Sequence, residues 1–123
     1  MNAVVEARRA IPVLKDPQLF REHCYIDGVW VEAESRKRID VDNPADVSLV
    51  GTVPDCGAAE TRRAIEAADR AFRSWSRTTA KERARILRKW FDLMMANQED
   101  LAQILTAEQG KPLTEARGEI ATR

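Results

Sequence analysis

The sequence predicts an α/β fold class, with short β-strands and hairpins over about residues 24–53 followed by three to four α-helices over about residues 58–121. Three observations support this prediction. Asp27-Gly28, between two short apolar segments, is the dipeptide most typical of a two-residue hairpin. Residues 38–42 alternate polar and apolar side chains, as a half-buried strand does. Beyond residue 60, apolar side chains recur at steps of three and four, the spacing of amphipathic helices.

The strand region contains a predicted hairpin and two further predicted strands, with turn residues between them. Tyr25 to Val31 forms the predicted hairpin, and Ile39 and Val41 share one face of the next strand. Asn43-Pro44 ends that strand, and residues 49–53 form another. Ahead of them all, Asp16-Pro17 predicts a turn or a helix start.

The first two helices have recognisable start signals. Gly57 and Glu60 fit an N-cap and a first-turn acid. Thr79 with Glu82 is a capping box, so a second helix is expected to begin there. Each helix also has an apolar stripe that is expected to be buried. The first comprises Ile65, Ala68, Ala71, Phe72 and Trp75, and the second comprises Ala84, Leu87, Trp90, Phe91 and Met94.

The third helix begins near Asn97, with Glu99 and Asp100 in its first turn, and runs to Gly110. Glycine readily adopts the left-handed conformation that closes a helix, so Gly110 is expected at positive φ. Pro112 suits the first turn of a following helix. The pattern predicts a helix, a glycine stop and another helix.

Composition excludes several classes of function. The 123 residues amount to one domain or part of one, and a formal net charge of zero gives no overall attraction to nucleic acid or to an anionic membrane. No apolar run approaches the ~20 residues that span a bilayer. Residues 1–16 are interpreted as a flexible leader without a secretory signal, and a reducing cytoplasm is the expected location.

Few side chains in the sequence suggest catalysis. Cys24 and Cys56 fit neither a disulfide framework nor a paired metal motif. Cys56 precedes a predicted helix N-terminus, where a thiol pKa can fall, but no base is near it in sequence, so it is interpreted as a turn residue. Cys24 is interpreted as a packed strand residue and His23 as a surface or strand-edge residue.

Two further groups are assigned to structure. Ten basic residues lie between Arg62 and Lys89, interleaved with acids, which is typical of a solvated face; a nucleic-acid interface is the weaker alternative. The cluster Trp90, Phe91, Met94 and Met95 favours a core over a ligand pocket. The dinucleotide glycine fingerprint is absent, and Lys111 after Gly110 is weak evidence for phosphate binding.

Several short strings in the sequence together resemble the N-terminal portion of the aldehyde dehydrogenase superfamily, nearest its NAD(P)-dependent succinate-semialdehyde dehydrogenase branch. They occur in that family's order and spacing over about residues 17–120. The strings are Tyr25-Ile26-Asp27-Gly28-Val29-Trp30, Asn43-Pro44-Ala45, Gly51-Thr52-Val53-Pro54, Ala64-Ile65-Glu66-Ala67-Ala68, Thr79-Ala80-Lys81-Glu82-Arg83 and Glu108-Gln109-Gly110-Lys111-Pro112-Leu113. One departure is Asp46-Val47-Ser48, where the family usually has a Thr-Gly-Glu turn.

The resemblance implies NAD(P)-dependent oxidation of an aldehyde, here succinate semialdehyde, to a carboxylic acid by the parent protein. In the family a cysteine thiolate attacks the carbonyl, hydride passes to the nicotinamide, and a glutamate activates the water that hydrolyses the thioester. Those groups lie downstream of the matched region. Residues 17–123 are therefore expected to be an incomplete N-terminal part of the cofactor-binding domain. The chain alone should have no catalytic residue, no cofactor-binding residue and no activity.

One site is carried over by the resemblance. Some family members hold a monovalent cation with main-chain carbonyls before the Asn-Pro dipeptide and at the acid of the acid-x-Gly-Lys motif. The matching positions are Val41, Asp42 and Glu108. Hard cations prefer oxygen ligands. The alternative is that both acids only solvate the ends of a strand and a helix.

The competing hypothesis is a non-catalytic truncated relative, acting as an interaction module or arising as a pseudogene product. The parent enzyme is expected to be a homo-oligomer that takes a small aldehyde and binds neither nucleic acid nor membrane. The isolated chain is expected to be helical but loosely packed or self-associated, because apolar faces meant for an absent sheet would meet water.

Overall fold

The computed structural model describes residues 10–122, which form two compact units. Among these residues, the first unit contains 10–21, 40–52 and 97–122, and the second contains 22–39 and 53–96. A short 3-10 helix at Pro17–Leu19 comes first. The strands are β1 (Cys24–Ile26), β2 (Val29–Val31), β3 (Arg38–Asp42) and β4 (Leu49–Pro54). The helices are α1 (Ala58–Trp75), α2 (Ala80–Ala96), α3 (Gln98–Gln109) and α4 (Leu113–Ala121). The predicted strands-then-helices order is confirmed.

β1 and β2 form the predicted hairpin. They are antiparallel, with Tyr25 opposite Trp30, and the two rings lie 5.1 Å apart between centroids. Asp27 and Gly28 both have positive φ, 52° and 81°, as the two central residues of a type I′ turn require. The turn and the cross-strand aromatic pair together fix the register of this hairpin.

β3 and β4 form a second two-stranded sheet, and the turn between them departs from the usual residue preferences. The Asn43 carbonyl accepts from Val47 N–H at 2.8 Å, and Asn43 N–H donates to the Ser48 carbonyl at 2.8 Å. This geometry holds Val47 at φ 59°, in the left-handed region. A β-branched residue is strained there, whereas glycine is not. The chain thus keeps a turn that suits glycine but places valine in it.

Replacing Val47 by glycine is expected to stabilise the protein by about 1 kcal/mol, because relief of the left-handed strain outweighs the added flexibility of the unfolded chain. Little burial is lost, since Val47 is 76% exposed. Val13→Gly is the matched control, because Val13 is also exposed but has no positive φ. Urea denaturation should show a higher free energy of unfolding for Val47→Gly and no increase for Val13→Gly. A loss at both positions would mean that Val47 is not strained.

In the second unit, the start of α1 is organised by the buried carboxylate of Glu60. Glu60 is 3% exposed and accepts from Gly57 N–H and from Glu34 N–H, both at 2.8 Å. These main-chain donors lower the pKa of Glu60, with a smaller contribution from Arg63. The first-turn acid predicted at the start of α1 is confirmed, and it also anchors the loop that contains Glu34.

α2 begins with the predicted capping box. Thr79 N–H donates to the Glu82 carboxylate at 2.9 Å, and Glu82 N–H donates to the Thr79 hydroxyl at 3.2 Å. The same main-chain bond to Thr79 lowers the pKa of Glu82. The capping box therefore fixes the start of α2 from local sequence alone.

The burial that periodicity alone predicts for the α1 and α2 stripes is wrong, and their exposure agrees with the separate expectation that apolar faces meant for an absent sheet meet water. Several of their large side chains are well exposed: Ile65 at 64%, Phe72 at 63%, Trp75 at 40%, Leu87 at 55% and Trp90 at 63%. In α1 the buried residues are Glu60 and Ala67, and in α2 no residue is fully buried. The periodicity was correct for an amphipathic helix, but among residues 10–122 nothing covers most of this apolar surface.

In the first unit, α3 and α4 pack closely through small residues. Ala102 of α3 and Ala116 of α4 are both 0% exposed. The Arg117 guanidinium donates to both carboxylate oxygens of Glu99, at 2.7 and 2.9 Å. This bidentate pair lowers the pKa of Glu99. Small side chains and a planar ion pair thus hold the two helices together.

Asp100 connects α3 to the N-terminal segment. Its carboxylate is 5% exposed and accepts from Lys15 N–H at 3.0 Å and Asp16 N–H at 2.9 Å. These main-chain bonds lower the pKa of Asp100. Ala10 N–H also donates to the Leu49 carbonyl at 2.9 Å. Of the predicted leader, residues 1–9 lie outside the described residues, whereas residues 10–16 make these three main-chain hydrogen bonds. The division into a leader and a partial domain stays a prediction.

No helix within residues 10–122 is both long and apolar enough to cross a membrane.

Candidate functional site

The two cysteines lie together in the second unit. Cys24 is the first residue of β1, Cys56 lies between β4 and α1, and their Sγ atoms are 3.4 Å apart with both thiols free. Burial, followed by the hydrogen bond to Cys24, raises the pKa of Cys56 to about 11. A thiol with so high a pKa retains its proton at neutral pH and is a weak nucleophile. No local pattern in the sequence indicates this proximity.

His23 occupies the surface position expected for it. Its Nε2 atom lies 3.0 Å from a Glu32 carboxylate oxygen, and both side chains are 45% exposed. The same Glu32 carboxylate pairs with Arg38. His23 therefore belongs to an exposed polar cluster with Glu32 and Arg38, and neither cysteine sulfur contacts it within that cluster.

Within residues 10–122, four of the ten basic residues from Arg62 to Lys89 form ion pairs with acids, one of them Arg63 with Glu60. Arg70 contacts Asp27 at 2.9 Å, and Arg88 contacts Asp92 at 3.2 Å. Arg73 approaches Asp69 at 3.9 Å. Pairs of this kind on exposed helix faces are typical of a solvated surface. The arrangement agrees with the solvated-face interpretation.

The candidate cation residues all lie in the first unit, at the ends of two elements. Val41 and Asp42 are the last residues of β3, and Glu108 is the penultimate residue of α3. Val41 is half-buried, and Asp42 and Glu108 are exposed. The last carbonyls of a helix lack intrahelical partners and bear partial negative charge, which favours a nearby cation.

Gly110 brings the two element ends together. It has φ 81°, and its N–H donates to the Thr106 carbonyl at 2.9 Å, so the predicted left-handed cap is confirmed. A Cβ placed on Gly110 would lie 2.6 Å from Cγ of Pro44. The Gly110 backbone therefore packs directly on the ring of Pro44, two residues beyond Asp42. Glycine is required here by both backbone conformation and space.

Two observations bear on the chemistry at this junction. Although Glu108 is exposed overall, desolvation of its carboxyl group by neighbouring atoms raises its pKa, at the negative end of α3. Among residues 10–122, no three His, Cys, Asp or Glu side chains converge in a way that could hold a metal ion. A cation here would therefore depend on main-chain oxygens, as the resemblance implies. Lys111, the weak phosphate candidate, forms an ion pair with Glu119 of α4.

A comparison of the sequence with models of protein families identifies the family of this chain. Residues 30–123 match the model described as the aldehyde dehydrogenase family. The chain belongs to the aldehyde dehydrogenase family. The matched range includes β3, β4 and all four helices, so the fold described above is the N-terminal fold of an aldehyde dehydrogenase.

Individual aldehyde dehydrogenases give the same result. The chain is 61% identical over 108 residues to the glutarate-semialdehyde dehydrogenase of Pseudomonas aeruginosa, covering 88% of this chain and 22% of that protein. It is 56% identical over 108 residues to the NADP(+) succinate-semialdehyde dehydrogenase of Escherichia coli, with the same coverages. The crystal structure of succinate-semialdehyde dehydrogenase from Burkholderia pseudomallei superimposes with a TM-score of 0.85 at 59% identity, covering 88% of this chain and 22% of that one. The chain thus spans about a fifth of the length of these relatives.

Proposed function

We propose that this chain is the N-terminal part of an enzyme that oxidises succinate semialdehyde to the dicarboxylic acid with NAD+ or NADP+. The observation that carries the proposal is the 56% identity to the E. coli NADP(+) succinate-semialdehyde dehydrogenase. Glutarate semialdehyde is the competing substrate, because the P. aeruginosa relative with that name is 61% identical. Both substrates are short aldehydes with a terminal carboxylate. A cytoplasmic location and a homo-oligomeric parent are part of the proposal.

Within this proposal, residues 1–123 contribute structure and not chemistry. Cys56 retains its proton because its pKa is raised to about 11. The resemblance to the family implies that the nucleophile and the general base lie downstream of the matched region. The chain alone is therefore expected not to bind the nicotinamide cofactor and not to turn over aldehyde.

The test compares residues 1–123 with any longer protein encoded by the same reading frame. NAD(P)H formation is measured with succinate semialdehyde and with glutarate semialdehyde. We expect turnover by the longer protein, faster with succinate semialdehyde, and none by residues 1–123 above a Cys24→Ala/Cys56→Ala control. Turnover by the short chain above that control would contradict the assignment of chemistry to other segments. A longer protein inactive on both aldehydes would contradict the proposed activity.

A non-catalytic interaction module is the second candidate, and the exposed apolar surface of α1 and α2 favours it. Phe72 and Trp90 are each 63% exposed, and exposed apolar patches of this kind promote association. If the reading frame ends at Arg123, sedimentation should show self-association, or binding to full-length subunits, that weakens in Phe72→Glu. A monodisperse monomer with a sharp thermal transition, unchanged by mixing with such subunits, would contradict this candidate.

We also propose that the junction of β3 and α3 binds a monovalent cation through the main-chain carbonyls of Val41, Asp42 and Glu108. The packing of Gly110 on Pro44, which brings the ends of β3 and α3 together, supports this site. Sodium or potassium chloride should raise the thermal midpoint relative to choline chloride at equal ionic strength. Asp42→Asn and Glu108→Gln retain the carbonyls and should largely preserve the effect, whereas Gly110→Ala displaces the end of α3 and should abolish it. Identical midpoints in the three salts would contradict the site.

A further inference from the structure

The relevant feature is the pair of thiols between the start of β1 and the N-terminal end of α1. Cys24 and Cys56 are 32 residues apart in sequence, yet their sulfurs are 3.4 Å apart, with Cys56 S–H donating to Cys24. A disulfide requires sulfurs about 2.05 Å apart, so closing the bond needs a movement on the order of 1 Å. Both residues are half-buried, which leaves them within reach of a small reagent.

We propose that Cys24 and Cys56 form a reversible dithiol–disulfide site that exchanges with small aliphatic disulfides such as oxidised glutathione. The surrounding contacts favour such a site. Cys56 N–H is bound to the Pro54 carbonyl at 3.0 Å, and the neighbouring Gly57 N–H is bound to Glu60 at 2.8 Å, which together hold the segment bearing Cys56 in place. Cys24 is held by its pairing with Val31 in the hairpin.

The exchange proceeds in two balanced steps. The thiolate of Cys24 attacks one sulfur of the small disulfide, forming a mixed disulfide and releasing one small thiolate, which takes up a proton. Cys56 loses its proton to solvent and attacks the Cys24 sulfur, forming the Cys24–Cys56 bond and releasing the second small thiol. The dithiol is oxidised by two electrons, and the small disulfide is reduced to two thiols. Reduction runs through the same steps in reverse.

The order of attack follows from the geometry of the pair. Cys56 is the hydrogen-bond donor, so the Cys24 sulfur is the acceptor and the one free to attack first. Burial raises the pKa of Cys56 to about 11, which slows its own attack on a reagent in solution. In the second step the contact between Cys56 and Cys24 offsets the low reactivity of the Cys56 thiol, because the attack is then intramolecular.

The bond would link β1 to the segment that leads into α1. Both cysteines belong to the second unit, so the link joins two segments of one compact unit that are distant in sequence. Closing a loop restricts the unfolded chain more than the folded one, so the oxidised form should unfold at a higher temperature than the reduced form.

The test equilibrates residues 1–123 in glutathione buffers of defined redox ratio, followed by acid quenching, alkylation and mass spectrometry. We expect a monomer lacking two hydrogens, with neither cysteine alkylated. The equilibrium constant for forming the Cys24–Cys56 disulfide with oxidised glutathione should be ~10-fold or more higher in native buffer than in concentrated urea, because only the folded chain holds the sulfurs together. Cys24→Ser and Cys56→Ser are the controls and should form mixed disulfides only, without the rise in thermal midpoint.

Three results would overturn the proposal. One is that both thiols remain alkylatable in a buffer that oxidises a reference dithiol. Another is that oxidation stops at mixed disulfides or gives linked dimers. The last is that the equilibrium constant is the same with and without urea. None of these measurements depends on aldehyde oxidation, so the proposed function and this site can fail separately.

Discussion

Gly110→Ala is expected to lower the free energy of unfolding by about 2 kcal/mol or more, because a left-handed conformation costs alanine ~1 kcal/mol and steric overlap adds a comparable amount. The overlap is with Cγ of Pro44, 2.6 Å from the position a Cβ would take. Either α3 or the turn after β3 must shift to admit the methyl group. Urea denaturation monitored by circular dichroism measures the loss.

Gly28→Ala provides a matched control for this substitution. Gly28 has the same φ of 81°, but the nearest atom to its Cβ position is Tyr25 Oη at 4.0 Å. It should therefore show the conformational cost, ~1 kcal/mol, without the steric one. Equal losses at the two glycines would mean that the Pro44 contact does not constrain the end of α3.

Ala116→Leu is expected to destabilise the protein by about 1–3 kcal/mol, because three additional carbons must fit into a filled interface. Ala116 is 0% exposed, on a helix that packs against α3. The expected result is a lower urea midpoint together with faster amide exchange in α4. Loss of the Arg117–Glu99 pairing would accompany a displacement of the helix.

The control for Ala116→Leu is the same substitution at Ala121, which lies on the same helix and is exposed. Its effect should stay within ~0.5 kcal/mol, as for most surface substitutions. If leucine were tolerated equally at both positions, α4 would have room to move away from α3, and the buried status of Ala116 would be of little energetic consequence.

Local signals in the sequence were sufficient for much of the fold. Asp27-Gly28 specified its hairpin because few dipeptides accept two consecutive positive φ angles. The Thr79–Glu82 capping box and the Gly110 stop each depend on residues within one helical turn. Such signals depend only on neighbouring residues, and for this reason the structure confirms the elements that they predict.

Other features depend on contacts between distant residues and left no local pattern. The Glu60 carboxylate binds Glu34 N–H from 26 residues away, although the sequence suggested only a first-turn acid. Cys24 and Cys56 meet because the hairpin and the loop before α1 converge. The exposed stripes of α1 and α2 could not be foreseen from periodicity alone, since periodicity marks an apolar face and does not supply what covers it.

The candidate cation site rests partly on the family resemblance and partly on the structure. Val41, Asp42 and Glu108 came from family resemblance, and no property of the isolated residues would have grouped them. The structural contribution is the contact of Gly110 with Pro44, which depends on the absence of a side chain at residue 110. A glycine stop was predictable from sequence, but its second role as a packing surface was not.

The discontinuity of the first unit has a consequence for the order in which the chain acquires structure during synthesis. Every residue of the second unit precedes residue 97, whereas the first unit needs residues 97–122 to meet segments made much earlier. The carboxylate of Asp100 binds Lys15 and Asp16 across 85 and 84 residues. Contacts of such long sequence separation form late, because a large loop must close first. On a ribosome that releases the chain from its N-terminus, the second unit can fold while the amides of Lys15 and Asp16 still bind water. The N-terminal described segment, which is synthesised first, would then be among the last to form its tertiary contacts.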